Sequence, residues 1–381
     1  RTHSMTQTKV EAPFVENSRP FRNLIINGDM QIAQRSTSTT GVANNSDEGV
    51  STLDRWGLFF YGNEGGVATV SQDTTVPSDT TYGKFSKSLK IDVTTADTSI
   101  GATGSHALSQ AIESSYIHHS GWDYTNSSSK ITLSFWARSV KAGDYHILLQ
   151  DKDVSGERYF VSKYTLVANT WKHVEVVIPG NSDLVFNDDN GEGLQVRWHL
   201  SAGDDRNDAT AGSWFNPGSD YEQTTDTQVN FFDSTDNNFF LTGVQLEVGD
   251  AATNFEHLPR DVQLQRCYRY CQRHPSQDPT GGAYGVIASG HNSGTTAQLP
   301  IVHHYIPMRG DPSLTNSGNF RVHHANTNTA TSSATTLDDN TSSPSISLLV
   351  VTVSSGLTVG QSALYEQNND SDAHIILDAE F

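Results

Sequence analysis

The sequence predicts an all-β protein: a jelly-roll β-sandwich followed by a short helix and a smaller C-terminal β domain. Runs rich in Val, Ile, Thr, Tyr, Phe and Trp recur between clusters of Gly, Asn, Asp and Ser, a pattern typical of strands joined by turns. Many of these runs alternate apolar and polar residues, as strands do when one face of a sheet is buried. A helical period of apolar residues stands out in one short segment near residue 260.

Composition limits the classes of function. The 381 residues include 24 Lys and Arg against 43 Asp and Glu, so the formal net charge is −19. This balance argues against nucleic-acid binding, which needs clustered positive charge. No apolar run approaches the ~18 residues of a membrane helix, so membrane insertion is not expected. The 6 Trp, 13 Tyr and 16 Phe residues indicate a packed core rather than disorder.

The sandwich is expected to span residues 21–257, after an N-terminal arm of residues 1–20. Residues 1–5, which end in Met5, are left out of the predicted fold. At least three of four strand tryptophans are expected in the core, the four being Trp56, Trp136, Trp171 and Trp198. The clearest predicted strands are 130–140, 146–151, 158–165, 171–178, 194–200 and 239–248.

A helical neck is predicted at residues 258–274, with the helix itself over 260–274. Leu264, Cys267, Tyr268 and Cys271 follow one another at i, i+3, i+4 and i+7, which places them on one stripe. The two cysteines could hold a soft metal together with His274, but a structural zinc site needs four ligands. Buried thiols are therefore the favoured interpretation.

Residues 275–381 are predicted to form a distal β domain. Because its apolar runs are short, its core is small, and such domains often depend on oligomer contacts. We therefore expect copies of the chain to associate, with the neck near their symmetry axis. The predicted strands of this domain are 283–289, 297–305, 320–324, 345–354, 362–366 and 373–381.

Several motifs make a family resemblance visible. They are Asn-Leu-Ile-Ile-Asn-Gly-Asp-Met-Gln-Ile-Ala-Gln-Arg at 23–35, Leu-Asp-Arg-Trp at 53–56, Thr-Leu-Ser-Phe-Trp-Ala-Arg-Ser at 132–139, Thr-Trp-Lys-His at 170–173, Leu-Thr-Gly-Val-Gln-Leu-Glu-Val-Gly at 241–249, Thr-Asn-Phe-Glu-His at 253–257, Leu-Gln-Arg-Cys-Tyr-Arg-Tyr at 264–270 and the C-terminal Ile-Ile-Leu-Asp-Ala-Glu-Phe at 375–381. As a set they resemble the carbohydrate-binding-module-like jelly roll of bacteriophage tail fibres and receptor-binding proteins.

This resemblance implies a homotrimeric fibre or tip of a virion, assembled in the host cytoplasm, that binds host cell-surface polysaccharide. The N-terminal arm would then attach to other virion proteins. No cofactor is implied, and the sequence contains no nucleophile elbow, P-loop or dinucleotide fingerprint. A polysaccharide hydrolase or lyase and a purely structural fibre or decoration protein stay open as alternatives.

Aromatic residues in polar loops, together with one adjacent carboxylate, are the candidate glycan ligands, because a sugar needs an apolar face and hydrogen-bonding groups together. On the sandwich they are Trp122, Asp123, Tyr124, Trp214 and Tyr221, and on the distal domain they are Tyr284 and Tyr305. The alternative is that each ring pins its loop onto the sandwich. The net charge favours a neutral glycan, or an acidic one bridged by cations.

A polar turn supplies the weak candidates for a metal site. Asp188, Asn190 and Glu192 present oxygens at alternating positions, which imitates part of a calcium loop. The full calcium-binding pattern is missing. An ordinary turn is therefore the favoured interpretation, and no metal is expected to be needed for folding.

Overall fold

The computed structural model describes residues 21–43, 50, 52–62, 65–218, 222–275, 283–324, 329–338 and 340–381. The predicted N-terminal arm, residues 1–20, lies outside this part of the chain. The described residues form antiparallel sheets joined by loops and two short helices, which confirms the all-β prediction. Within them, no helix is both long and apolar enough to cross a membrane.

A jelly-roll sandwich of two six-stranded sheets forms the first domain. One sheet has the strand order β1-β3-β4-β12-β6-β9 and the other has the order β11-β8-β7-β10-β5-β2. In chain order its elements are β1 (Ser38–Ala43), β2 (Gly57–Tyr61), β3 (Val67–Asp73), β4 (Ser88–Thr95), β5 (Ser105–Glu113), α1 (Ser114–His118), β6 (Lys130–Ser139), β7 (Gly143–Asp151), β8 (Arg158–Leu166), β9 (Lys172–Pro179), β10 (Glu192–Ala202), β11 (Trp214–Phe215) and β12 (Asn238–Val248).

The core lies between the two sheets, as the alternating sequence predicts. Phe135 on β6 and Trp198 on β10 come from opposite sheets, and their ring centroids lie 5.7 Å apart. Trp56 packs against Trp198 at 5.3 Å. Trp56, Trp136 and Trp198 are each less than 5% exposed, so the prediction for three of the four strand tryptophans is confirmed. Trp171 is partly exposed.

The distal domain combines a three-stranded sheet of order β13-β21-β16 with a closed barrel of order β14-β15-β19-β18-β17-β20. Its core is separate from that of the sandwich and centres on Val322, Leu349, Val351 and Tyr365. Its elements are α2 (Arg260–Tyr268), which leads into it, β13 (Cys271–His274), β14 (Val286–Asn292), β15 (Ala297–His303), β16 (Ser313–Ser317), β17 (Phe320–His323), β18 (Thr329–Leu337), β19 (Ile346–Val353), β20 (Ser362–Gln367) and β21 (His374–Asp378).

The neck differs from its prediction in length and in contacts. Helix α2 ends at Tyr268, and Cys271–His274 form strand β13, which pairs with β21. The ladder to β21 gives these residues backbone hydrogen bonds that outweigh their helical spacing. Leu264 and Cys267 pack onto Ile26 of the same chain's sandwich. That the neck lies near a symmetry axis between copies stays a prediction.

Buried arginines join the sandwich to the C-terminal segment. Arg35 lies 2.6 Å from Asp378 and 3.6 Å from Glu380. Arg55 is ion-paired with Glu380, and its guanidinium lies 3.5 Å from the centroid of the Tyr270 ring. Because paired buried charges hold fixed positions, these contacts set the position of the distal domain on the sandwich.

Candidate functional site

A groove of about 800 Å³ opens where residues 21–24, helix α1 with the loop after it, the end of β12 and helix α2 meet. Its walls combine apolar and aromatic side chains with hydroxyl, amide and charged groups. Its lining side chains include Phe21, Arg22, Tyr116, His119, Glu247, Val248 and Arg266. The volume is within the usual range of small-ligand sites.

Asn23 holds the N-terminal wall of the groove against β12. Its Nδ2 donates to the carbonyl of Val244 at 3.0 Å, and its Oδ1 accepts from the backbone N–H groups of Leu246 and Ile25, each at 3.0 Å. One amide side chain therefore satisfies backbone groups of both segments. This explains why the first motif, at 23–35, and the motif at 241–249 fold together.

A bulge in β12 directs its last residues toward the groove. The register against β6 shifts between Thr242 and Gln245, and Gly243 has a φ of +62°. A side chain at this position would be strained by the backbone and would strike Phe85, whose ring atom lies 2.6 Å from the position of a Cβ. The glycine of the motif is thus required by the geometry that places Glu247.

Glu247 is a structural carboxylate within the groove wall. It is 2% exposed and accepts hydrogen bonds from the N–H of Thr253 at 2.8 Å, the hydroxyl of Thr253 at 2.7 Å and the amide of Gln245 at 2.8 Å. The Nε of Arg22 lies 3.3 Å from the same carboxylate. With these partners the Glu247 charge is compensated inside the protein.

The accessible part of the groove is aromatic and apolar. Phe21 is 56% exposed and Val248 is 38% exposed, while Tyr116 is half-buried against the sandwich core. His119 is exposed, and its Nε2 lies 2.8 Å from Oδ1 of Asp188. Exposed ring and aliphatic surface beside hydrogen-bonding groups is the combination that a sugar ring needs.

Arg266 on α2 supplies a positive charge to the groove. Within the described part of the chain its one hydrogen bond runs from Nη2 to the carbonyl of Asn23 at 3.0 Å, and it forms no ion pair there. Burial lowers the pKa of its guanidinium, because the charged form loses hydration and the charge of nearby Glu256 offsets this loss only in part.

The loop at 116–124 contributes to the groove, but not through the residues that the sequence singled out. Trp122 is 3% exposed, and its Nε1 donates to the carbonyl of Ser129 at 3.4 Å. Tyr124 packs edge-on against Phe186 at 5.0 Å. Asp123 is exposed, and its carboxylate accepts from side chains of its own turn. Neighbouring rings bury Trp122, so it holds the loop against the sandwich and cannot stack on a sugar. The prediction that Trp122 binds the glycan is therefore wrong.

The other predicted ligands lie elsewhere in the molecule. Trp214 is 9% exposed and donates from Nε1 to the carbonyl of Pro179 at 2.7 Å, so it too pins its loop. Tyr221 lies outside the described residues. Tyr284 is 47% exposed, with the guanidinium of Arg321 4.2 Å from its ring centroid.

Tyr305 is 45% exposed, although aromatic rings flank it. Its ring lies 4.6 Å from Tyr268 and 4.5 Å from His274, centroid to centroid. It belongs to the junction between the neck and the distal domain. Neither Tyr284 nor Tyr305 lines the groove.

The three candidate metal ligands point to different partners. Asp188 faces His119. The Asn190 side chain donates to the carbonyl of Arg309, and the carbonyl of Asn190 accepts from the Arg309 guanidinium. Glu192 begins strand β10. In the described part of the chain no three His, Cys, Asp or Glu side chains are grouped to hold a metal ion. That folding needs no metal stays a prediction.

The cysteines are buried and unpaired by disulfide, as favoured from the sequence. Cys267 lies in α2 and Cys271 at the start of β13. Burial raises the pKa of both thiols well above the ordinary value, so the reactive thiolate is disfavoured. Their role is therefore packing between the sandwich and the distal domain.

Comparison with known proteins gives structural neighbours at low identity. No family model matches the sequence, and no match is found among curated proteins. The enzymatically active domain of bacteriophage CBA120 tailspike protein 4 has 14% identity and a TM-score of 0.29, with 55% of this chain and 21% of that chain covered. This chain therefore spans about a fifth of the tailspike chain.

Carbohydrate-binding modules are also among the neighbours. A CBM4 structure has 14% identity and a TM-score of 0.31, with 58% of this chain and 98% of that chain covered. The family 11 module of Clostridium thermocellum, in complex with a mixed-linked tetrasaccharide, has 14% identity and a TM-score of 0.26, with 58% and 98% covered.

Proposed function

We propose that this protein binds a glycan non-covalently in the groove beside α1 and α2. The observation that carries the proposal is the exposed apolar surface of Phe21 and Val248 next to the charged and polar groups of Arg266 and His119. Such a surface can stack on the C–H face of a sugar while its polar groups bind hydroxyls. A single shallow groove of this kind gives weak affinity per site.

Binding without cleavage is favoured because the Glu247 carboxylate is already hydrogen-bonded within the protein. Glycoside hydrolysis requires two carboxyl groups facing one another across the bond. Glu247 is the acidic residue among the described groove-lining residues, and its oxygens already accept from Thr253 and Gln245. The alternative, a polysaccharide hydrolase or lyase, predicts new reducing ends or unsaturated-uronate absorbance when host polysaccharide is incubated with the protein.

Removing the exposed groove surface should weaken glycan binding. Replacing Phe21 by Ala removes a stacking face, and His119→Ala removes a rim donor, so we expect each to reduce affinity for host polysaccharide about 10-fold. The measurement is titration calorimetry with purified host polysaccharide, together with staining of host cells by labelled protein.

Val359→Ala is the matched control, because Val359 is 61% exposed on the distal domain. It should bind like the parent protein. If Phe21→Ala and His119→Ala fold normally by circular dichroism and bind the polysaccharide as tightly as the parent protein does, this groove is not the binding site. Absence of any staining by the parent protein would favour the purely structural fibre.

The finer proposal is a virion fibre or receptor-binding protein of a phage. It is supported by the set of motifs from 23–35 to 375–381 that resembles such proteins. In this proposal the N-terminal arm contacts other virion proteins and the groove contacts host cell-surface polysaccharide. Antibodies against the chain should then label intact virions in electron micrographs, and labelled protein should compete with infection.

The outer face of the barrel supports the proposed self-association. Ile301 on β15 pairs with Leu348 on β19, and Ser289 on β14 pairs with both Ile301 and Leu364. Ile301 and Leu364 are 43% and 37% exposed. An uncharged apolar face suits contact between copies of a chain that carries a net charge of −19, because charged surfaces of like copies repel.

A homotrimer is therefore expected at micromolar concentration, the number three coming from the resemblance to phage fibres. Ile301→Asp should convert the trimer to monomers. Burying a carboxylate without a partner costs roughly several kcal/mol of association free energy at each interface. Light scattering coupled to gel filtration measures the mass. Val167→Asp, at a position on the sandwich that is 66% exposed, serves as the comparison and should leave the mass unchanged. A monomeric mass for the parent protein would refute the trimer.

A further inference from the structure

Arg266 lines the groove and forms no ion pair in the described part of the chain. A guanidinium has five N–H donors, and one of these is used, by the carbonyl of Asn23 at 3.0 Å. Arg22, by contrast, lies 3.3 Å from Glu247 and 3.8 Å from Glu256. The two arginines of the groove therefore differ: Arg22 is paired and Arg266 is not.

The nearby carboxylates are committed to other groups. Glu247 accepts from Thr253 and Gln245, as described above. Glu256 accepts from the backbone N–H of Asn23 at 3.0 Å. Neither is within ion-pair distance of Arg266 in the described structure. The half-buried guanidinium thus faces the groove with donors left for a ligand.

The ring of Tyr116 borders the same part of the groove, and it packs against the cluster that also contains Leu264 and Cys267. The charge of Arg266 acts on the Tyr116 hydroxyl, so the two groups are neighbours in the groove wall. A planar guanidinium matches the flat, two-oxygen shape of a carboxylate.

We propose that Arg266 binds the carboxylate of an acidic sugar, so that the glycan recognised in this groove is a uronate or a similar carboxylated polysaccharide. This inference rests on the proposed function, because it names the ligand class of the same groove. It replaces the neutral glycan that the charge of the whole chain favoured.

The net charge of −19 does not prevent such binding. Charges more than about 8 Å apart are largely screened at physiological ionic strength. Contact affinity therefore depends on the groups within the groove, whereas the distant carboxylates mainly slow association. The pairing of Arg266 with a ligand carboxylate therefore decides whether the groove prefers an acidic or a neutral glycan.

The test compares three probes of equal length: an oligogalacturonate, its carboxyl-reduced neutral form and a sulfated neutral oligosaccharide. Calorimetry at 50 mM and 300 mM NaCl should show at least 10-fold tighter binding of the uronate at low salt. The preference should shrink at high salt. Arg266→Gln should abolish the preference, and Arg266→Lys should retain part of it.

Arg138→Gln is the control, because Arg138 lies on β6 and contacts Asn169 rather than the groove. Equal binding of the uronate and its reduced form overturns the inference while leaving glycan binding intact. Tighter binding of the sulfated probe, or no uronate binding at millimolar concentration, also overturns it. The proposed function is tested separately, by staining host cells with the labelled Phe21→Ala and His119→Ala variants. If Arg266→Gln fails to fold, Arg266→Lys replaces it, because lysine keeps a donor for the carbonyl of Asn23.

Discussion

Acidification from pH 7 to pH 4 is expected to destabilise the fold through histidines that are buried in their neutral form. His106 is fully buried between the rings of Phe60 and Phe232, at centroid distances of 4.8 and 4.2 Å. Neither of its ring nitrogens has a hydrogen-bond partner in the described structure. Burial lowers the pKa of His106 to about 4, from an ordinary value of 6.5.

The direction of the effect follows from proton binding. Between pH 6.5 and 4 the unfolded chain binds a proton at His106 and the folded chain does not, so the free energy of unfolding falls as the pH falls. The difference corresponds to roughly 3 kcal/mol for this side chain once the pH is below 4. Burial also lowers the pKa of His274 to about 4 and that of His199 well below its ordinary value.

Asp151 opposes this trend, because burial raises its pKa to about 6 and it stabilises the fold as the pH falls through that value. The histidine contribution is therefore isolated by substitution. His106→Phe keeps an aromatic ring in the site and should flatten the dependence of unfolding free energy on pH. Guanidinium denaturation at pH 7, 6, 5 and 4 measures it, with exposed His303→Asn as control. Parallel curves for His106→Phe and the parent protein would contradict the prediction.

Strands with alternating apolar residues could be predicted from the sequence, and strands without them could not. The predicted strand 345–354 corresponds to β19 (Ile346–Val353). Strand β18, Thr-Ala-Thr-Ser-Ser-Ala-Thr-Thr-Leu, has no such pattern. It is stabilised by ladders to β17 and β19 and by the hydrogen bond between Thr335 and the Tyr365 hydroxyl at 2.8 Å. These partners are distant in sequence, so local spacing does not reveal them.

The candidate site illustrates the same limit. The sequence selected Trp122, in the loop at 116–124, as a candidate glycan ligand, but the burial of its ring depends on Phe186, more than sixty residues away. Arg266 gave no signal, because its position beside Asn23, without an ion pair in the described part of the chain, becomes visible only once α2 is packed. The loop was predictable from its composition, whereas the choice of exposed side chain within it required the fold.

The second large effect is expected at Glu113, where the sandwich meets the neck. Glu113 is fully buried, and its two oxygens accept from Nε and Nη2 of Arg269, each at 2.6 Å. The hydroxyl of Tyr270 donates to the same carboxylate. Such a bidentate, charge-assisted arrangement is among the stronger polar contacts in proteins. It fastens the end of β5 to the segment between α2 and β13.

Glu113→Ala is therefore expected to lower the free energy of unfolding by about 3 kcal/mol, because it leaves Arg269 and the Tyr270 hydroxyl without their acceptor. Glu113→Gln should cost less, since its amide oxygen can still accept from Tyr270. Lys163→Ala removes an exposed ion pair with Asp144, 3.0 Å long, and should change stability by less than about 1 kcal/mol.

A double-mutant cycle between Glu113→Ala and Arg269→Ala separates the pair from its surroundings. If the carboxylate acts chiefly on Arg269, the double variant should be little worse than Glu113→Ala alone, because each single change already breaks the same contact. Additive losses would mean that Glu113 stabilises the junction through Tyr270 instead. A Glu113→Ala variant as stable as the Lys163→Ala control would contradict the prediction. It would show that water replaces the Glu113 carboxylate as acceptor for Arg269 and Tyr270. The junction would then depend on the ion pairs of Arg35 and Arg55.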